Sequence, residues 1–467
     1  MNRRTLLLFA IASLVYASIT FINHYNFRTY ALDLGYYTQV SEAWMSGESP
    51  NTAGFEDPSQ HALSNHFDLS QILFSPAVSL FGAWGLLLIQ WLSILFGGYG
   101  LYRWTEHHNS KHSFTLLLCF LGYFSVFQSL AYDYHSTVVA CMLIPWYFLA
   151  IEKKRILLSW VLIISIALFR EDLALFTFFI TTGQLILHWK STQQRKTLLA
   201  QSMITGVLFL VIITLIMPAF SDGEAISNLQ YPSLQQFTLT CSSLLDILNQ
   251  LFFQKPEGGI SSIKIEFWLA FLFSGGILMF KKPVYLFMLI PVLASKMLHV
   301  NPIFWGVGAH YSIAFAILTP LALTVIIGQS EHKAWRVIPL IVLAISFRLM
   351  DNPYSIIDRE NIRFYQGQHY KRSFEVQEVR DFLNELPANS NVSVSSNIFP
   401  HLVGNHQVQL FPLGIEKVNY IVIINEDDSY PLSDNELYEA LQSLEADESW
   451  TATDHPTGLT VFKRVHP

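Results

Sequence analysis

Thr5–Ile22, TLLLFAIASLVYASITFI, is an uninterrupted apolar run that follows Asn2-Arg3-Arg4 and gives way to Asn23–Gly35, NHYNFRTYALDLG. A run of this length crosses a hydrocarbon core of about 30 Å as a single helix. The basic residues ahead of it favour a cytoplasmic amino end. No small-residue cleavage site follows and many similar runs do, so the segment reads as a first transmembrane helix and not as a signal peptide. The whole chain agrees with that reading. Of its 467 residues 52% are hydrophobic and only 13% charged, and the mean hydropathy is +0.35, more apolar than a soluble globular chain requires.

Working outward, apolar runs separated by charged breaks mark about eleven spans. They are Thr5–Ile22, Ala83–Tyr102, Ser113–Leu130, Thr137–Ile151, Ile156–Phe169, Leu173–Trp189, Leu198–Met217, Ile265–Phe280, Val284–Leu298, Ser312–Gly328 and Val337–Leu349. Ser70–Leu80 is too short for a crossing and contains Pro76, so it reads as a helix at the outer interface. The expected fold is therefore a polytopic α-helical membrane protein. Residues 1–349 form the transmembrane domain, with a first outer loop at 23–82, and 350–372 form a linker. Residues 373–467 form a small α/β domain.

Charge sorts the breaks between the two faces. Arg103–Lys111, Glu152–Arg155, His188–Lys196, Lys281-Lys282 and His332–Arg336 are basic, and alternation puts them on one side, the cytoplasm by the positive-inside rule. The opposite face then receives Asn23–Leu69, with Glu42, Glu56, Asp57 and His61, the Ala131–Ser136 turn, Arg170-Glu171-Asp172, the Pro218–Lys264 loop, His299–Tyr311 and the tail. From Met350 onward there are 18 acidic and 8 basic residues, against 17 and 20 in the rest. An acidic tail of this kind makes nucleic acid an unpromising partner. The expected location is the inner (plasma) membrane, multi-pass, with a cytoplasmic amino end and an extracytoplasmic carboxyl-terminal domain.

The tail carries α/β signals. Glu375–Leu386 has helical spacing, Val392–Ser395 and Val418–Ile424 read as strands, Asp434–Leu444 as a helix, and Trp450–Arg464 as a hairpin turning at His455–Gly458. Cys119, Cys141 and Cys241 form no disulfide framework or metal motif. Walker, nucleophile-elbow and dinucleotide-binding patterns are missing, which removes support for ATP-driven transport and serine hydrolysis.

Candidate chemistry falls on the outward breaks. Asp33 lies among aromatic residues just past the first span, either as a reactive acid at the membrane surface or as the cap of the helix that follows. Asp133 and His135 share a very short turn, where each is a base or ligand candidate or, alternatively, a helix cap and an interfacial ring. Arg170, Glu171 and Asp172 place three charges between apolar runs, which is costly unless they are paired or functional. Arg170 either neutralises one acid or grips a phosphate through its planar fork. His66 and Asp68 alternate in an extended stretch and can face one cavity. His310-Tyr311 follows a glycine-rich turn, as a site pair or as a hinge and aromatic anchor. The histidine spacing does not suit zinc. Carboxylate ligands from Asp33 and Asp133 would suit Mg2+ or Mn2+.

These residues carry a resemblance. Ala31–Gln39, Asn65-His66-Phe67-Asp68, Tyr132–His135, Arg170-Glu171-Asp172, Val392–Asn397 and Pro400-His401-Leu402 resemble, in the same order, the membrane proteins grouped as domain of unknown function 2079. One departure is Ser136-Thr137, where the family pattern has Pro followed by an acid or apolar residue. That family resembles the C-type (GT-C) glycosyltransferases, which transfer a sugar from a polyprenyl-phosphate donor to an acceptor on the outer face. The resemblance implies a GT-C-like fold with Asp33, Asp133 and His135 as catalytic residues. Arg170, Glu171, Asp172, His66, Asp68, His310 and Tyr311 would bind substrate, and the acceptor would be a glycan, lipid or protein of the envelope. The readings from other classes are a lipid or solute transporter or flippase, and a non-catalytic envelope assembly protein.

Overall fold

The computed structural model describes residues 2–55, 59–221, 243–253, 263–299, 301–352, 357–424, 429–455 and 458–465. Glu56, Asp57, Cys241, part of the Pro218–Lys264 loop and the Pro456-Thr457 tip of the hairpin lie outside them. Within the loop, Leu244–Phe252 is a helix whose Ser243 cap accepts from the Asp246 N–H. The chain divides into two compact units. The first holds Met1–Ala17, Ser64–Leu69 and Gln90–Arg363; the second holds Ser18–Leu63, Ser70–Ile89 and Phe364–Pro467.

Helix forms in every apolar run identified above. Among the described residues four helical stretches are long and apolar enough to cross a membrane: Arg3–Tyr25, Ala83–His107, Ser113–Leu130 and Thr192–Ala219. Their outward faces are greasy. Leu14 is 73% and Leu215 64% exposed, which suits contact with lipid chains in place of water.

The other runs are shorter or interrupted, for identifiable reasons. Proline starts new segments at Ile144–Glu152, Pro283–Met288, Ile290–Leu298 and Ile338–Leu349, where its fixed φ and missing N–H are tolerated. A non-helical break at Gly122-Tyr123 parts Ser113–Leu121 from Phe124–Leu130, and the Gly122 carbonyl is satisfied by the Ser346 hydroxyl at 2.7 Å. Ile313–Ile327 is buried on almost every side. An all-round apolar helix of this kind belongs at the centre of a helical bundle.

The second unit is built on a five-stranded mixed sheet. Its strands are β1 (Asn391–Val394), β2 (Gln407–Leu410), β3 (Tyr420–Ile424), β4 (Trp450–His455) and β5 (Leu459–Arg464), in the order β2-β1-β3-β5-β4. The β1 strand pairs in parallel with β2 and β3, while β5 runs antiparallel to β3 and β4. Period-two alternation sends Val422 and Ile424 to one core and Ile421 and Ile423 to the other. Helix Val376–Glu385 covers the first face through Val379 and Leu383. Helix Asp434–Ala446 covers the second, started by a capping box between Ser433 and Glu436.

The first face is completed by Phe27 and Ala31, which join Val379, Val392, Phe399 and Val422 in one core. Arg28 is buried and donates to the carbonyls of His369 (2.6 Å), Gln368 (3.2 Å) and Lys371 (2.7 Å). Asn23–Gly35 is thus a structural layer of the sheet domain. The Val392–Asn397 motif serves the same fold, since the Ile424 N–H donates to Ser395 Oγ and Ser395 Oγ to Asn397 Oδ1.

Candidate functional site

In the first unit the chain around residue 170 turns from one helix into the next with Arg170 extended at the cap position (φ −169°, ψ 155°) and Glu171 and Asp172 in the first turn of Glu171–Leu187. Carboxylates suit this end of a helix, where unpaired N–H groups carry partial positive charge. Glu171 is buried, and both its oxygens are occupied: Oε1 stands 3.0 Å from His66 Nδ1, and Oε2 accepts from the Phe67 N–H at 3.1 Å. Arg170 Nε lies 3.6 Å from Glu171 and 3.5 Å from Asp172. Charges so deeply placed are tolerable only as a bonded set.

Asp133 and His135 are fixed from behind by a residue the sequence did not mark. Gln90 is fully buried; its Nε2 donates to the Asp133 carbonyl at 2.7 Å, and its Oε1 accepts from the His135 N–H at 2.8 Å. This amide clamp holds Asp133 in a left-handed conformation at φ 51°, uncommon outside glycine and stabilised only by its surroundings. The helix-cap readings give way here. The cap position before Ser136–Cys141 is His135, and the one before Tyr36–Ser46, the helix that follows Asp33, is Gly35, each without a side-chain capping bond.

The His135 and His310 rings stack with centroids 3.5 Å apart, and Tyr132, Tyr311, Phe304 and His299 extend the aromatic column. His310 is buried, and its Nδ1 has no hydrogen-bond partner among the described residues. Burial first, then the neighbouring His135, Arg170, Lys296 and His66, push His310 well below the usual imidazole range. Its ring is therefore neutral near pH 7.

Part of this set lines one cleft of about 100 Å³, and Asp133 and His135 are not among its lining residues. His66, Arg170, Glu171, Asp172, His310 and Tyr311 line it, together with Lys296 and His299. Leu173, Leu175, Phe176, Pro291 and Val292 form its apolar part. Lys296 is buried and donates to the Phe304 carbonyl at 2.8 Å and to that of Gly306, with its Nζ 4.9 Å from the centre of the Phe267 ring. It thereby fixes the turn that carries Phe304. Asp68 is buried just beyond Phe67, and Asp33 belongs to the second unit, on the π-turn Ala31–Gly35.

Among the described residues no group of three or more His, Cys, Asp or Glu side chains has the arrangement of metal ligands. Lys296 and Gln90 escaped the sequence reading. The available signal was a lone polar side chain inside an otherwise apolar run, which in a membrane segment marks a partner or a site.

The profile of a family described as predicted membrane proteins, DUF2079, matches residues 23–461. The chain belongs to the DUF2079 family. The match takes in the Asn23–Gly35 layer, the cleft, strands β1 to β4 and the start of β5 in this DUF2079 protein. None of the curated proteins matches it.

Proposed function

We propose that this DUF2079 protein is a GT-C-type membrane transferase that takes a sugar from a polyprenyl-phosphate donor to an envelope acceptor. One observation carries the reading: the first-unit cleft sets an apolar wall, Leu173 to Val292, against N–H-bearing side chains at Arg170, His66, His299 and His310. A cleft of that character fits an ionic head on a hydrocarbon chain. Arg170 is the group suited to phosphate oxygens. In the proposed reaction a carboxylate removes the acceptor hydroxyl proton; the sequence offers Asp133 in the first unit and Asp33 in the second as candidates for it. The acceptor oxygen bonds to the sugar carbon with inversion, and the bond to phosphate breaks with its electron pair on the departing polyprenyl phosphate. Its charge is the one Arg170 would stabilise. Any Mg2+ or Mn2+ would take carboxylate oxygens. The reading includes about eleven crossings, a cytoplasmic amino end in the inner membrane and an extracytoplasmic sheet domain.

The test is a photoreactive polyprenyl phosphate added to the purified chain in nanodiscs, with labelled peptides mapped by mass spectrometry. Labelling within Glu171–Leu187 or Ile290–Leu298, competed by unmodified polyprenyl phosphate, is expected. A radiolabelled hexosyl polyprenyl phosphate should then lose its sugar to an acceptor or to water in the wild type, and about a hundredfold more slowly in Arg170→Gln. Label spread without competition, or no turnover of any hexosyl donor, overturns the reading.

A further inference from the structure

The second unit contains a large hollow that the cleft chemistry does not use. It measures about 780 Å³, and its lining includes Phe81, Trp84, Arg380, His401, Asn405 and His406. A second hollow of about 500 Å³, bordered by Gln39, Asn51 and Gln407, adjoins it. The two share Glu42, Asn389, Val403, Gly404, Asn405 and His406, so they form one continuous groove. Each hollow lies within the roughly 300–1,000 Å³ of ordinary small-molecule sites, and together they suit an elongated ligand.

The lining selects the ligand class. Side-chain amides from Gln39, Asn384, Asn389 and Asn405 each carry a donor and an acceptor. That pairing matches a hydroxyl, which also does both. Glu42 adds an acceptor at the junction, set against the backbone of Gly404. A side-chain carbon on that glycine would come within 3.3 Å of the Glu42 carboxylate, and Gly404 has a φ of +92°. Trp84 supplies a flat apolar face at one end, the kind on which a sugar ring lays its C–H surface. A hydrocarbon chain would leave these amides and the Glu42 carboxylate without partners. A polyanion would meet Glu42 and Glu48.

We infer that this groove is a binding site for an uncharged oligosaccharide, held by the amides and Glu42 at its centre and by Trp84 at its end. The inference goes beyond the transferase reading and does not depend on it.

Maltotetraose, cellotetraose and chitotetraose, titrated separately onto the full chain in nanodiscs by calorimetry, test the site. At least one should bind saturably. Asn405→Ala and His406→Ala should each weaken it about tenfold, the loss expected when one buried hydrogen bond is removed, with thermal unfolding matching the wild type. Glu42→Gln, which keeps shape and hydrogen-bonding capacity, guards against a folding artefact and should weaken binding less than Asn405→Ala. No saturable binding by any of the three overturns the inference. So does binding that all three variants leave unchanged, or equal binding of tetra-alanine. Because no lipid-linked sugar is present, the titration bears on the groove alone: saccharide binding together with no turnover in the hexosyl-donor assay leaves the groove standing and removes only the transferase reading.

Discussion

Gln90 closes two hydrogen bonds around the turn that carries Asp133, donating to the carbonyl of Asp133 and accepting from the N–H of His135. The first prediction concerns this clamp. Gln90→Leu strands a buried carbonyl and a buried N–H, at a cost of about 1–3 kcal/mol for each group. Gln90→Glu keeps the acceptor for His135 but turns an oxygen toward the Asp133 carbonyl, so it should destabilise as well. Thermal unfolding in detergent measures both; a wild-type melting temperature for Gln90→Leu would show that the clamp carries no load.

The carboxylate at 171 has the same exposure to loss. With His66, the Phe67 N–H and Arg170 all directed at it, Glu171→Ala leaves Arg170 and His66 short of their buried counter-charge. A loss of about 3–5 kcal/mol is expected, the range for breaking a buried pair. Glu171→Gln should cost less, because an amide still serves His66 and Phe67. Denaturant unfolding of the two variants gives the order, and equal stabilities would contradict the bonded-set account.

Base identity separates Asp33 from Asp133. If Asp33 removes the acceptor proton, Asp33→Asn should lower transfer by about 10²–10⁴-fold while the chain still folds. Asp133→Asn should then act mainly through turn geometry. Retention of full transfer by Asp33→Asn would exclude Asp33 and leave Asp133 as the candidate.

His401 sets a pH dependence of stability. It stacks on His24 with centroids 4.2 Å apart, and burial, then His24 and Arg380, hold it well below the usual imidazole range. In the unfolded chain a histidine takes up a proton near pH 6.5, whereas folded His401 does not. The unfolded state therefore binds more protons below that pH. Stability is full above about pH 6.5 and falls as the solution is acidified past it. Melting temperatures from about pH 8 to about pH 5 should decline on the acid side, and His401→Phe, which keeps the stack, should flatten the decline. An unchanged slope in that variant would assign the effect elsewhere.

The readable parts of this chain were those with strong local signals. Tyr420–Ile424 announced itself by an apolar run, and the helix Asp434–Ala446 was readable as Asp434–Leu444 from its periodicity. The strand Gln407–Leu410 did not, being four residues long at the edge of the sheet with two glutamines. At the cleft, Arg170-Glu171-Asp172 stood out because three charges interrupt apolar sequence. Lys296 is a single charge within a run, and its carbonyl partners at Phe304 and Gly306 are only 8 and 10 residues away in a turn whose shape the sequence does not reveal. The place of Phe27 and Ala31 was hidden for a different reason. Their neighbours lie more than three hundred positions along the chain, and no local pattern records such a contact.

That separation has a consequence for biosynthesis. Arg28 and its acceptor at His369 are 341 residues apart, so the amino-terminal segment leaves the ribosome long before the strands that shelter it exist. Throughout translation of the intervening helices, Phe27 and the Arg28 guanidinium await their final neighbours. A nascent chain halted before β1 would display an unfinished hydrophobic seam, the kind of surface that quality-control proteases and chaperones engage.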